Sequence, residues 1–282
     1  MSIVVNTNVS ALMAQRNLNS ATNLLNTSIE RMSSGLKVNR AADDAAGLSI
    51  ATTMNTKIRG SEVAQSNIQQ GINVLQTAEG YLSGITDNIN RIRDLATQAA
   101  NGINSTDSRQ AIIKEVNARV DEINKQAGSA EFNGVKLLDG TSLSSGMRLQ
   151  VGADADATNN SITVSSSVFA NATASAIGLK TAISSAFTDA ASAASFLTEC
   201  DSALKDITAR RADIGAFQNR LSANYDSLGI SIENLTASKS TIMDTDVAKE
   251  ASKLTKAQIL QQASVSLLAQ ANQTPSIALS LL

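Results

Sequence analysis

The sequence contains no histidine, no tryptophan, one proline and one cysteine among its 282 residues. Without histidine the chain cannot form a Ser-His-Asp or Cys-His nucleophilic site, an HExxH zinc site or an imidazole acid–base group. Because Cys200 stands alone, an intramolecular disulfide is excluded. An enzyme would have to work with carboxylates, lysine or tyrosine, and we expect no catalytic, metal or cofactor site.

A large charge of either sign is also missing, since 23 basic and 25 acidic side chains give a net charge of -2. This balance gives no electrostatic reason to expect nucleic acid or an anionic membrane surface as a partner. The first fifteen residues have neither the basic start nor the continuous apolar run of a cleaved signal peptide. Taken alone, these features predict a cytoplasmic protein.

Aromatic residues are scarce, with five Phe and two Tyr, whereas apolar side chains at spacings of three and four are frequent. This pattern predicts a mainly α fold, an elongated bundle of long antiparallel helices with coiled-coil termini. One helix is expected over about 45–99. A second, capped by Ser105 or Thr106 and carrying Ile112, Val116, Val120, Ile123 and Ala127, should fold back on it.

The period changes between 131 and 165, where short alternating runs bounded by Gly, Asn and Asp predict a small set of β-hairpins. The following Ala/Ser/Thr-rich segment, about 165–195, has too little apolar volume for an independent core. A heptad through Cys200, Ile207, Ile214 and Leu221 then predicts a long helix that breaks near 244–246. Cys200 is interpreted as a small buried residue in the seam of this helix.

The last stretch, 256–282, has no charged side chain after Lys256. Ala257, Leu260, Leu267 and Ala271 fall on one helical stripe and Leu254, Val265 and Leu268 on a second, so this helix needs apolar partners on more than one side. A membrane span is the competing interpretation. Gln and Ser interrupt the stretch far short of the roughly 20 apolar residues that a span requires.

The first segment shows a matching heptad through Val4, Ala11, Leu18, Leu25 and Met32, and Gly35 follows where that helix should end. Two uncharged amphipathic termini are expected to pack together and to self-associate. We expect eight apolar side chains to carry polymerisation: Leu18, Leu25, Met32, Leu254, Leu260, Val265, Leu267 and Leu268. Asp43 and Asp44 are interpreted as first-turn helix residues rather than as a catalytic or metal-binding pair.

Three segments at the two ends of the chain closely resemble bacterial flagellin: NTNVSALMAQRNLN (6–19), RMSSGLKVNRAADDAAGLSIA (31–51) and SKLTKAQILQQASVSLLAQANQ (252–273). The resemblance leaves only about 160–195 unmatched. It implies a terminal coiled-coil domain from 1–40 and 244–282, which forms the inner tube of the filament around the export channel, and a helical core domain over 41–243. The missing outer domains imply a smooth, thin filament.

The resemblance also implies a function and partners. The chain would polymerise into the extracellular flagellar filament after export through the flagellar type III apparatus. It would meet a flagellin-specific export chaperone and the hook-associated and cap proteins. Arg91, Leu95 and Glu115 stand where the family contacts the vertebrate Toll-like receptor for flagellin. Subunit packing explains these three residues equally well.

Two alternatives belong to other classes of protein. A hook-filament junction protein has flagellin-like ends, but the close match in SLLAQANQ (266–273) argues against that interpretation. Some flagellins carry a protease in a central insertion. The absence of histidine and of an insertion makes an enzyme the weakest hypothesis.

Overall fold

A computed structural model describes residues 7–156, 158–179 and 183–280. Six helices and four short strands are formed by these residues, which confirms the mainly helical fold with a small hairpin region. The elements are α1 (Val9–Ser34), α2 (Ala45–Ala99), α3 (Thr106–Ser129), β1 (Glu131–Phe132), β2 (Val135–Lys136), β3 (Met147–Gln150), β4 (Ser161–Val164), α4 (Ile183–Ala186), α5 (Ala190–Met243) and α6 (Val247–Ser280).

The helix boundaries follow local capping chemistry. Gly35 ends α1 with a φ of 72°, a left-handed conformation that glycine adopts without a Cβ penalty. The Ser105 side chain accepts the backbone N–H of Ser108 at the start of α3, and Asp246 accepts that of Lys249 at the start of α6. The predicted end of α1, the cap of α3 and the break before α6 are therefore confirmed.

The paired acidic residues before α2 lie one position earlier than predicted. α2 begins at Ala45, so Asp43 and Asp44 precede its first turn instead of occupying it. Asp44 accepts the Gly47 N–H at 2.8 Å and caps the helix. Asp43 accepts the N–H groups of Arg40 and Asn39, and these bonds lower the pKa of its carboxyl. Both carboxylates thus stabilise the connector between α1 and α2.

Residue contacts divide the chain into two compact units. The terminal unit comprises Met1–Thr56 with Glu233–Leu282, and the middle unit is Lys57–Ile232. Both divisions fall inside long helices, α2 and α5. The domain boundaries near 40 and 244 that the sequence suggests remain a prediction.

In the middle unit, α2, α3 and α5 pack around one continuous apolar core. α3 runs antiparallel to α2, as the Arg91–Glu115 ion pair at 2.8 Å and the Arg119–Asn88 hydrogen bond at 3.4 Å show. The five apolar residues predicted for α3 are all buried, and so are those of α5 from Cys200 to Leu221. At about 1.5 Å per residue, the 55 residues of α2 span about 80 Å.

The segment after β4 contributes more to this core than its composition suggests. Phe169 and Phe187 are among its largest fully buried side chains, and the rings of Phe187 and Phe196 meet edge to face at 5.3 Å. Buried Arg210 donates hydrogen bonds to the carbonyl oxygens of Ala170 and Asn171, at 2.8 and 3.2 Å. The segment is therefore fixed on the helices and has no core of its own.

The predicted hairpins are present as two antiparallel pairs, β1 with β2 and β3 with β4. The second hairpin and the loop after β3 lie against α2 where that helix carries glycine. A Cβ at Gly60 would stand 2.7 Å from the Cβ of Ala153, and one at Gly71 would overlap Leu149. Asn67 donates a hydrogen bond to the Gln150 carbonyl at 3.3 Å between these two points.

Candidate self-association surface

The terminal unit is built on the antiparallel pairing of α1 with α6. Asn8 donates to the Ala271 carbonyl at 2.8 Å, and the Ser28 hydroxyl donates to the Glu250 carboxylate at 2.8 Å. These two bonds set the register, which places Ala21 level with Ala257. The backbone of the connectors is joined as well, by a bridge between Leu36 and Asp244.

Small residues form the centre of this pairing. Ala14, Ala21 and Ser28 are the buried residues of α1, spaced by seven, and they face an equally spaced buried line on α6 made of Glu250, Ala257 and Ser264. Their short side chains allow the two helices to approach closely and leave the larger side chains at the margins. The heptad through Leu18 and Leu25 predicts these residues at the seam, but both side chains are only half-buried. A second heptad, of small residues, marks the seam in the sequence.

One charged group lies inside the pairing. Glu250 is buried, and Lys253 and Ser28 each hold one of its carboxylate oxygens, at 2.9 and 2.8 Å. Burial disfavours the charge, but these hydrogen bonds and the nearby charges of Lys253 and Arg31 outweigh it and lower the pKa of Glu250. The carboxylate therefore stays ionised and tied to both helices.

Four large apolar side chains lie exposed along one margin of the pairing. Leu260 and Leu267 on α6 each follow a buried seam residue by three positions, which turns them about 60 to 80° from the seam. Met13 and Leu24 on α1 are turned by a similar angle in the same sense. Because the helices are antiparallel, all four lie on one side of the pair, and we call them the first face.

A second apolar group is turned the opposite way from the seam. Val247 and Val265 on α6 and Ile29 on α1 are exposed and lie on the other side of the pair by the same helical geometry. We call these three the second face. Between the two faces, the back of α6 presents uncharged polar groups such as Gln262 and Ser266, together with the exposed side chain of Ile259.

The eight residues predicted to carry polymerisation divide among these positions. Leu260 and Leu267 belong to the first face and Val265 to the second. Met32 lies at the end of α1, level with the start of α6, and is exposed. The remaining four lie half-buried beside the seam: Leu18, Leu25, Leu254 and Leu268. The two stripes predicted for α6 lie on the two sides of the seam by this geometry: Leu260 and Leu267 turn to one side of it. Leu254, Val265 and Leu268 turn to the other side. Their role in polymerisation stays a prediction.

The three residues compared with a receptor-binding segment lie in the middle unit. Arg91 and Glu115 form an exposed ion pair on α2 and α3. Leu95 is only 3 % exposed and belongs to the core. It continues the apolar stripe of α2 three positions after Ile92, a spacing that the sequence already contained. In this conformation Leu95 presents almost no surface to a partner.

Within the described residues, no helix is long and apolar enough to cross a membrane. The same residues contain no group of three acidic or cysteine side chains placed to hold a metal ion.

Two family models match the chain. The bacterial flagellin N-terminal helical region matches residues 5–143, and the bacterial flagellin C-terminal helical region matches residues 197–282. The chain belongs to the bacterial flagellins. The resemblance carried by the terminal motifs is confirmed, and the family matches include α1 and α6 with both faces described above.

Relatives extend the similarity over the full length. This flagellin is 39 % identical to the flagellar filament 30.7 kDa core protein of Treponema maltophilum, covering 99 % of the chain and 100 % of the relative. It is 35 % identical to flagellin D of Vibrio cholerae over 376 aligned positions, covering 100 % of both. That alignment is 94 positions longer than the 282-residue chain, so the Vibrio relative has segments that this flagellin lacks.

A solved structure supports the fold alone. The putative flagellar hook-associated protein from Vibrio parahaemolyticus superposes with a TM-score of 0.60 at 16 % identity, covering 72 % of this chain and 100 % of that one. The full-length relatives are filament core proteins and flagellins, so a hook-filament junction protein is not favoured. This flagellin is a structural subunit of the extracellular bacterial flagellar filament.

Proposed function

We propose that the first and second faces of the α1–α6 pair are the surfaces through which neighbouring subunits pack in the filament. The observation that carries the proposal is the exposure of seven large apolar side chains on two opposite sides of one helix pair. A helical polymer needs two unlike surfaces on each subunit, because a contact between different surfaces propagates whereas a self-complementary one closes into a dimer.

The energies are sufficient for such packing. The four side chains of the first face are each about half exposed, so together they retain apolar surface equal to about two Leu side chains. Complete burial of this surface is worth about 3 to 6 kcal/mol per subunit. Repeated along the filament, a contribution of this size favours the assembled state without requiring a covalent link.

The matched pair Leu267→Asp and Ser266→Asp tests the proposal. Leu267 is 57 % exposed in the subunit, so a carboxylate there remains hydrated until a neighbour covers it. Covering it costs the lost apolar burial, about 1 kcal/mol, and several kcal/mol for an unpaired buried charge. We expect Leu267→Asp to melt like the parent protein and to form no sedimentable filament.

Ser266→Asp introduces the same charge one residue earlier, on the polar back of α6. It should polymerise nearly as well as the parent protein in a salt-induced assembly assay. Normal filament yield from Leu267→Asp would overturn the assignment of the first face.

The polar back of α6 suggests where the export channel runs. Thr255, Gln262 and Ser266 are exposed, uncharged and able to hydrogen-bond water. We propose that this side of α6 lines the channel, and that the subunit travels through the flagellar type III apparatus without a cleaved signal peptide. The terminal residues would be held by a flagellin-specific chaperone before export and would meet the hook-associated and cap proteins afterwards.

The absence of segments that longer relatives carry supports the proposal of a smooth, thin filament. For the vertebrate Toll-like receptor, the proposal is reduced to the exposed pair Arg91 and Glu115, because Leu95 is buried. Charge reversal at Arg91 together with Glu115 should weaken binding of monomeric protein to the receptor ectodomain. Unchanged binding would assign both residues to subunit packing alone.

A further inference from the structure

The turn between α2 and α3 presents one strongly exposed apolar side chain. Ile103 is 87 % exposed, the highest value among the large apolar residues that the structure describes as exposed. The turn around it is hydrogen-bonded: the Ile103 N–H donates to the Asn101 side chain at 3.3 Å, and Asn104 donates to the Gln98 carbonyl at 2.5 Å. These bonds hold the backbone that carries Ile103, so little backbone entropy would be lost if a partner bound its side chain.

A notch of suitable size lies on the surface where α2 faces α3. Gly80 and Gly84 on α2 leave its floor without side chains, and a Cβ at Gly80 would meet nothing within 4 Å. Tyr81, Thr77 and Gln126 form the walls, and the space is about 270 Å³. The lining is mostly apolar apart from the ends of these side chains. It can hold one branched aliphatic side chain.

The notch and Ile103 of one subunit cannot meet. α2 continues as a helix from Gly84 to Ala99, a distance of about 22 Å at 1.5 Å per residue. Any occupant of the same shape as Ile103 must therefore come from another molecule. In a filament, the molecules present at every position around the subunit are copies of the same chain.

We propose that Ile103 of one subunit inserts into the notch formed by Gly80, Tyr81 and Gly84 of a neighbouring copy. The contact joins two different sites on the same molecule, so it adds one subunit after another as a filament requires. It rests on the proposed self-assembly but uses the middle unit, and it is independent of the two faces on α1 and α6. Glycine at positions 80 and 84 then leaves the space that Ile103 of the neighbouring copy needs.

Disulfide trapping tests the contact directly. In a Cys200→Ala background, Ile103→Cys is combined with Thr77→Cys at the edge of the notch, and filaments are oxidised before denaturing electrophoresis. We expect a ladder of covalent multimers from filaments and none from monomers. The control pairs Ile103→Cys with Gln69→Cys, two turns earlier on α2, and should give no ladder.

Gly80→Leu supplies a second measurement that separates the contact from folding. Replacing a mid-helix glycine in open space raises helix propensity, so the monomer should melt no lower than the parent. The filled notch should nevertheless raise the protein concentration needed for assembly by about tenfold. A substitution that stabilises the monomer without filling the notch would not raise the concentration needed for assembly.

The outcomes distinguish this inference from the proposed function. Filaments that form normally but give no ladder from the Ile103 and Thr77 pair would overturn the inference and leave assembly through the terminal helices intact. An unchanged assembly concentration for Gly80→Leu would also overturn it. Failure of the unsubstituted protein to form any filament would contradict self-assembly itself, and this contact with it.

Discussion

Substitution of Gly60 by alanine tests how the loop after β3 is seated on α2. A Cβ at this position would stand 2.7 Å from the Cβ and 3.1 Å from the Cα of Ala153. Neither atom can rotate away, so the loop or the helix must move, at a cost of about 1 to 3 kcal/mol. The helix propensity of alanine returns roughly 0.5 to 1 kcal/mol.

Gly215→Ala is the matched control, because Gly215 lies within α5 with nothing within 4 Å of an added Cβ. This substitution gains the higher helix propensity of alanine without a steric clash. We expect its melting temperature to rise and that of Gly60→Ala to fall. The two should differ by about 5 °C, since 1 kcal/mol shifts a unit of this size by about 2 to 4 °C. The strands β3 and β4 should also exchange amide protons faster in Gly60→Ala.

Calorimetry of both variants and hydrogen exchange of the hairpin are the measurements. An equal upward shift of both melting temperatures would refute the close approach of Ala153 to α2. Unchanged exchange in β3 and β4 would show that Gly60 does not position the hairpin.

Two further predictions concern buried ionisable groups. Burial raises the pKa of the Cys200 thiol to about 12, so thiol reagents at pH 8 should label the native protein far more slowly than the denatured one. Rapid labelling of the native protein would contradict the burial of Cys200. The variant Cys200→Ala should assemble normally. Because the pKa of Glu250 is lowered in the folded protein, its carboxylate stabilises the fold at any pH above 4.5, the ordinary pKa of a glutamate. This contribution is lost as the pH falls through the lowered pKa. Glu250→Gln should therefore make α1 and α6 more sensitive to proteolysis at pH 7. The difference from the parent protein should narrow as the pH falls below 4.5, whereas the exposed control Glu233→Gln should show neither effect.

The sequence predicted the middle unit well because its apolar side chains are large and regularly spaced. The stripes of α2, α3 and α5 each point to one continuous core, and the capping residue Ser105 marks the start of α3. The packing of Phe169 and Phe187 was not predicted. Few large side chains in an Ala/Ser/Thr-rich segment give no periodic signal. Arg210, which donates to the Ala170 carbonyl and holds the segment, lies 40 residues further along the chain.

The terminal surface was only partly predictable for a related physical reason. Hydrophobicity alone places leucines at the centre of a helix pair, yet here Ala21 and Ala257 occupy the centre and Leu267 lies outside. A subunit that must bury apolar surface against its neighbours keeps its largest side chains for those neighbours. The residue types thus indicated self-association, whereas the side on which each lies required the register set by Ser28 and Glu250.

The most direct test of the account is a cryo-electron microscopy reconstruction of filaments assembled from this chain. The account predicts that Met13, Leu24, Leu260 and Leu267 are covered by a neighbouring copy, while Ser266 and Gln262 line a water-filled central channel. A reconstruction in which the first face remains open to solvent, or in which α1 and α6 form no contact between subunits, would contradict the central claim.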